Sequence, residues 1–526
     1  MRLLPAFCVG VVLLWMAPVL LAGFPSELTE SIRVARDFAV TGIPGDVVSP
    51  LFTLLLRTLM TFIDWKSAVS FALVSSVTMS LAVIPLWWSI RRVLNAKIAW
   101  VAVTIFCLMP MHWQEAVNTG SYPLAFLLLF SGFALYLALV PRSRFAAVAS
   151  LGLCYGLVLA AHHAFITFLP WFLLVYLWER RSQWKKALLE LVLCGMAAYA
   201  GFVLPLLPAA LQPNLSAAER FRVLLPVREN LLPPSEVYGD DYAYNFLKKE
   251  FDEKLAREAE SPSFFERRSS EHFRINYGIG SVHPLRVLMS STWLFANSLT
   301  ALFMQETVGG AFLWLFIVPG ICVLWRTKRR LLLQLTGLWL SMELLLRFFF
   351  HYGRIHLMDT GWIVAILAGI GVMFVADAVH RSAKIRLTAV AATMTLLIGM
   401  QLIQENRKLL AHEYARSTIP RAYTIAEALQ TLPKDAVIAR PLSTDQMIFT
   451  ERPTILLHQD TIDVLATKGK VADPFRHYKV THVVGYDAVR TALIRKAVPS
   501  MKVVSIPEKS AVPLTPFTKY LLNLIR

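Results

Sequence analysis

Four carboxylates, Glu27, Glu30, Asp37 and Asp46, fall within one stretch, 24–59, directly behind an apolar N-terminal run. At a membrane boundary a carboxylate is wet enough to ionise and close enough to meet a phosphate at headgroup depth. It can therefore act as a general base toward a lipid-linked substrate. Leu28, Ile32, Ala35, Phe38 and Ala39 recur at helical spacing, while Glu27, Glu30, Arg33 and Asp37 lie elsewhere on the turn. Glu27 heads this helix, where its charge also suits the helix dipole, so spacing alone is equally consistent with an ordinary capped interfacial helix.

Three further groups have the right chemistry for a phosphate or a hydroxyl acceptor. Arg347 lies in SMELLLRFFFHYGRIH, with Glu343 four residues before it and His351, Arg354 and His356 after it. Ionisable residues within an apolar run are costly and tend to face a partner or a polar cavity, which makes this the best candidate for a lipid phosphate. The alternative is an i,i+4 Glu343–Arg347 pair with snorkelling ends. His162 and His163 follow LVLAA and could bind phosphate or a metal, although neighbours on a helix point about 100° apart. Asp240 and Asp241, in VYGDDYAY, suit acceptor or cation binding, or are solvated loop charge.

The elements that must position these groups are membrane helices. The chain has 526 residues, 56% of them hydrophobic, and a mean hydropathy of +0.54, which excludes an ordinary soluble protein. Apolar runs near 3–23, 66–90, 98–112, 121–140, 145–164, 165–178, 187–211, 309–325, 331–350, 356–378 and 387–404 predict about eleven spans. Basic clusters occupy alternate connections: Arg91, Arg92 and Lys97; Arg142 and Arg144; Arg180, Arg181, Lys185 and Lys186; Arg326, Lys328, Arg329 and Arg330; Arg381, Lys384 and Arg386. By the positive-inside rule these connections are cytoplasmic, and the 24–65 and 212–308 loops and everything after 404 are outside. This distribution accounts for the net charge of +17 through the membrane and argues against nucleic acid as a partner. The five cysteines all lie in apolar runs and read as packing residues, neither disulfides nor metal ligands.

Two domains follow. Residues 1–404 form the multi-span part; within its long insertion, 285–304 is expected to be interfacial or re-entrant, because a span there would reverse every later basic cluster. Residues 405–526 read as a small α/β unit with a helix near 420–432 and strands at 436–440, 454–457, 481–485 and 502–506. It carries no GxGxxG, P-loop or GxSxG signature.

The order of features resembles the GT-C superfamily of integral-membrane glycosyltransferases, in the branch of the protein O-mannosyltransferases and the lipid A aminoarabinose transferase. The residues that carry the likeness are Val34-Ala35-Arg36, the turn around Gly42 and Gly45-Asp46, and Ser49-Pro50-Leu51-Phe52 before a Leu run. The family shows an Asp-Glu pair, an aromatic residue and Ile-Ala-Arg. Here Glu27 stands for the Asp, Leu28 for the Glu and Ser31 for the aromatic residue, with Glu30 as the substitute acid one turn away. The resemblance implies a polyprenyl-phosphate-linked sugar as donor and a glycan, lipid or protein acceptor on the outer face. It also implies inversion at the anomeric carbon with a first-loop carboxylate as base. The residues themselves call for no particular cofactor, although a divalent cation would fit, and the compact loops and basic clusters suit a bacterial inner membrane with the C-terminal domain outside. In this scheme Glu27 and Glu30 are catalytic, and Asp46, His162, His163, Arg347, Arg354, Asp240 and Asp241 bind substrate. Two other readings stay open: a non-catalytic scaffold of the same fold, and a lipid or glycan transporter, which would call for inverted repeats and helices broken at the midplane.

Overall fold

The computed structural model describes residues 3–25, 50–59, 62, 68–118, 120–211, 217, 220, 310–349, 358–416, 428–429, 431–441, 454–457 and 459–504. Long apolar runs become helices because a lipid-buried backbone must satisfy its hydrogen bonds internally. The helices are α1 (Leu4–Ala22), α2 (Pro50–Leu59), α3 (Ala68–Val93), α4 (Ala96–Leu108), α5 (Pro110–Val117), α6 (Tyr122–Leu139) and α7 (Arg144–Ala161). After these come α8 (Leu169–Glu179), α9 (Trp184–Val203), α10 (Trp314–Thr327), α11 (Arg329–Phe349), α12 (Met358–Ala383) and α13 (Leu387–Arg416). Among the described residues seven helices are long and apolar enough to cross a membrane, or eight if the α4–α5 pair is one broken span. The expected runs that fall within those residues are helical, but 98–112 is divided between two helices, and 165–178 and 309–325 fall on helices shorter than a full span. The protein is an integral membrane protein.

The bundle has two chemically different ends. At one, the basic connections meet: Lys328 Nζ donates to the Val93 carbonyl at 2.6 Å, joining the α10–α11 and α3–α4 turns. Buried Glu190 is paired with Arg144 at 3.3 Å and Arg180 at 3.4 Å, and the Tyr176 hydroxyl donates to it. Gln334 Nε2 donates to Glu179 Oε1 at 2.6 Å. The alternation read from the sequence is thus realised as a single basic end. Close helix contact needs small residues, since lipid supplies no hydrophobic drive between helices. Gly156 on α7 is one case, because a Cβ there would lie 1.8 Å from the Ala198 carbonyl oxygen of α9.

α13 continues to Arg416, past the expected end of the membrane part at 404. Beyond it, β1 (Ile438–Arg440), β2 (Thr454–Leu456), β3 (His482–Val484) and β4 (Lys502–Val504) form a parallel sheet in the order β2-β1-β3-β4, each within the range its sequence predicts. The intervening helices, α14 (Gln459–Thr467), α15 (Ala472–His477) and α16 (Ala488–Ala497), bury Ile462, Leu465, Phe475 and Ile494 on it. Asp487 caps α16 by accepting from the Arg490 N–H at 2.8 Å. That bond and the Arg490 side chain hold its carboxyl below the usual carboxylate range.

Candidate functional site

The expected span 98–112 is not one helix. It breaks between Leu108 and Pro110 with a bend of 64°, because Pro110 lacks the N–H that would continue the ladder and Met109 before it is forced into an extended conformation. From its start beside Lys97, α4 rises about 20 Å to this break, which therefore lies at the end of the bundle opposite the basic turns. Three carbonyls exposed by the break are met by side chains from three elements. His112 Nδ1 bonds Phe106 O at 2.9 Å, Trp15 Nε1 donates to Cys107 O at 2.8 Å, and Asn406 Nδ2 donates to Leu108 O at 2.7 Å. These bonds fix α5 across the bundle end, and Ser76 Oγ holds its far side through the Ala116 carbonyl at 2.8 Å. Gly361 at the start of α12 is what admits the His112 ring, since a Cβ there would lie 2.8 Å from it.

The polar groups collected at this end are buried. His112 is fully buried, Glu115 is 4% exposed, and Asn118, Ser121, Thr360 and Glu343 are also enclosed. Of the buried carboxylates among the described residues, Glu115, Glu343 and Glu405 lie here and Glu190 lies at the basic end. A row of rings runs through the site. His112 packs on Phe126 at 5.8 Å, Phe126 on Tyr122 at 6.3 Å, Tyr122 on His162 at 4.0 Å, and His162 on His163 at 5.7 Å between centroids. Ser121 Oγ and His162 Nδ1 are 2.9 Å apart. The 3₁₀ turn His163–Phe168 is tied to α11 by Ser341 Oγ, which donates to Thr167 O at 2.6 Å, and by contact of the Thr167 hydroxyl with Met342 Sδ. Carboxylates, imidazoles, hydroxyls and amides enclosed together can bind a phosphate or sugar hydroxyls and move a proton between them.

This architecture is shared with solved structures at low sequence identity. ArnT from Cupriavidus metallidurans bound to undecaprenyl phosphate aligns with a TM-score of 0.53 at 14% identity, covering 96% of this chain and 89% of that one. The oligosaccharyltransferase of Archaeoglobus fulgidus tethered to an acceptor peptide with an NVT sequon gives 0.53 at 13% identity, over 91% and 68%. The same organism's AglB, in complex with an inhibitory peptide and a dolichol-phosphate, gives 0.50 at 11%, over 92% and 70%. The chain has the GT-C fold. No protein-family model and no curated protein sequence matches it.

Within this GT-C fold the sequence-expected residues distribute as follows. Glu27, Glu30, Asp46, Asp240, Asp241 and Arg354 lie outside the described residues, as do the expected interfacial segments 27–39 and 285–304. Their neighbours in the chain do enter the structure at the polar end. Phe24 packs against Tyr414 of α13 at 5.8 Å between ring centroids, and α2, which starts at Pro50, rests on α7 and the 204–206 turn. Arg347 is in the last turns of α11, four residues past buried Glu343. His162 and His163 correct the expectation of a shared helix. α7 ends at Ala161, His162 is extended (φ −152°, ψ 103°), and the two ring centroids are 5.7 Å apart with their planes tilted by 38°. All five cysteines are free thiols, as their apolar settings imply. Among the described residues no group of three or more His, Cys, Asp and Glu could hold a metal ion.

His112, Glu115, Asn118 and Thr360 were not singled out from the sequence. A signal existed in MPMHWQEAVN, where a Pro interrupts an apolar run and a His and a Glu follow within five residues. An apolar run with one interior proline reads as a continuous span, and that pattern conceals the polar helix lying across its end.

Proposed function

We propose that this protein is a membrane glycosyltransferase that moves a sugar from a polyprenyl-phosphate carrier to an acceptor on the outer face, with inversion. The observation that carries the reading is the segregation of chemistry within the GT-C fold. Buried carboxylates, imidazoles and amides gather at the end remote from the basic turns, where the flanks of the acidic first loop also enter. The undecaprenyl phosphate of ArnT, the dolichol-phosphate of AglB and the acceptor peptide tethered to the Archaeoglobus fulgidus oligosaccharyltransferase are the donor and acceptor classes this reading carries over. A carboxylate, assigned to Glu27 with Glu30 in support, takes the proton of the acceptor hydroxyl as its oxygen attacks the anomeric carbon. The sugar–phosphate bond breaks, and the polyprenyl phosphate leaves with the bonding pair. Its charge is met by Arg347 and Arg354, with His162 and His163 beside them. Asp46, Asp240 and Asp241 are assigned to substrate, and Glu115 is added as a second carboxylate facing the sugar. The basic end sits in the cytoplasm of a bacterial inner membrane and the α/β domain projects outside, because α13 runs from Lys384 and Arg386 to the polar end.

The test is release of polyprenyl phosphate from a panel of polyprenyl-phosphate sugars in proteoliposomes supplied with envelope extract. The wild type is expected to turn over at least one donor, and Glu27→Gln to abolish turnover while remaining folded in the membrane. Full activity of Glu27→Gln removes Glu27 from the mechanism; no turnover of any donor by the wild type favours the scaffold of the same fold.

A further inference from the structure

Along one flank of the bundle, α4, α12 and α13 leave a groove of about 590 Å³ that runs from Lys97 at the basic end up to Leu108 beside the break, and this is the size of a ligand pocket. Lys97, Trp100 and Leu108 line it from α4, and Thr388, Ala392 and Ile403 from α13. Between Thr388 and Ile403 the helix rises about 22 Å, more than the roughly 15 Å hydrocarbon depth of one leaflet. The wall is apolar along this length, and its single cation, Lys97, stands at the mouth. That mouth is at the basic end, where Arg386 lies two residues before Thr388. An apolar trough with a cation at the cytoplasmic end and an indole one turn deeper is matched in charge and shape to an anionic lipid of the inner leaflet.

We propose that the groove holds one anionic glycerophospholipid, with its phosphate on Lys97 and an acyl chain lying along Ala392 toward Ile403. This goes beyond glycosyl transfer. A carrier phosphate reacting at the polar end cannot at the same time sit on Lys97 at the opposite end. The lipid fills the space between α4 and α13 at the basic side, and the Asn406–Leu108 bond ties the same two helices at the other. It thereby braces the helix whose broken end carries His112 and Glu115.

The full-length protein is reconstituted in nanodiscs of equal phosphatidylglycerol and phosphatidylcholine, washed in mild detergent, and its retained lipid quantified by mass spectrometry. Phosphatidylglycerol is expected to be retained preferentially. Lys97→Gln is expected to lower that preference about fivefold, the weight of one surface cation. Lys97 is exposed, so its loss leaves the packing intact, and an unchanged melting temperature in phosphatidylcholine alone verifies this. Ala392→Trp is expected to expel the retained lipid whatever its headgroup. Equal retention of both lipids by the wild type, or an undiminished preference in Lys97→Gln, overturns the proposal. So does displacement of the retained lipid by added polyprenyl phosphate, which would assign the groove to the donor.

Discussion

Glu115 and Glu27 are the residues to which the proposed chemistry is assigned, and they differ in how they could be found. Glu27 stands out in the sequence because it follows an apolar run and precedes Val-Ala-Arg; Glu115 does not, because its neighbours look like the end of a span. Burial is a property of the folded chain, so only the structure shows Glu115 enclosed at 4% exposure beside His112. Glu115→Gln keeps the shape and the hydrogen-bonding capacity but removes the charge. It is expected to lower transfer by about 10²- to 10⁴-fold if the carboxylate handles a proton, with the protein still eluting as a folded species. A residue of a different kind is His482 in β3. Burial pulls its imidazole below the ordinary value, helped by Lys502 and opposed by Asp435. The unfolded chain then takes up the proton first. Stability of the sheet is full above about pH 6.5 and falls as pH drops below it. Hydrogen exchange of the 438–504 segment, corrected for intrinsic rates, should quicken between about pH 7.5 and about pH 5.5, and His482→Gln should reduce that change.

At the scale of elements, what the sequence revealed was periodicity and charge, and what it concealed was interruption. The eleven apolar runs and the four strands were legible because burial on all sides writes a continuous apolar stretch, and a parallel strand does the same over a shorter length. The break after Leu108 was not, since a proline in a membrane helix is commonly tolerated and its consequence is decided by which side chains reach the freed carbonyls. Trp15, His112 and Asn406 are those side chains, and they come from elements far apart in sequence. Asn406→Ala should leave the buried Leu108 carbonyl without this bond and cost about 1–3 kcal/mol, read as a lower melting temperature of the purified protein. Packing of α7 on α9 is a second element-level case. Gly156→Leu cannot be accommodated against the Ala198 carbonyl, and should abolish recovery of folded protein from the membrane.

The whole molecule is polarised, with basic turns at one end, enclosed polar chemistry at the other, and an α/β unit continuing from the polar end through α13. The sequence conveyed this polarity through alternation of basic clusters, a signal spread over the entire chain and therefore robust to any single misread helix. Orientation follows from it. A cysteine placed at His163 in a background lacking the native thiols should be labelled by a membrane-impermeant maleimide in intact cells, and one placed at Lys328 only after lysis. The reverse pattern would invert the bundle and put the polar end in the cytoplasm.

The central claim is that this polarised fold transfers a sugar outside the membrane through its first-loop carboxylate. Mass-spectrometric comparison of cell-envelope glycans tests it most directly, using the wild type, a deletion strain and that strain complemented with either the wild-type gene or Glu27→Gln. The account predicts one glycan modification lost on deletion, restored by the wild type and not by Glu27→Gln. An unchanged glycan profile on deletion, or full restoration by Glu27→Gln at equal protein abundance, would contradict it.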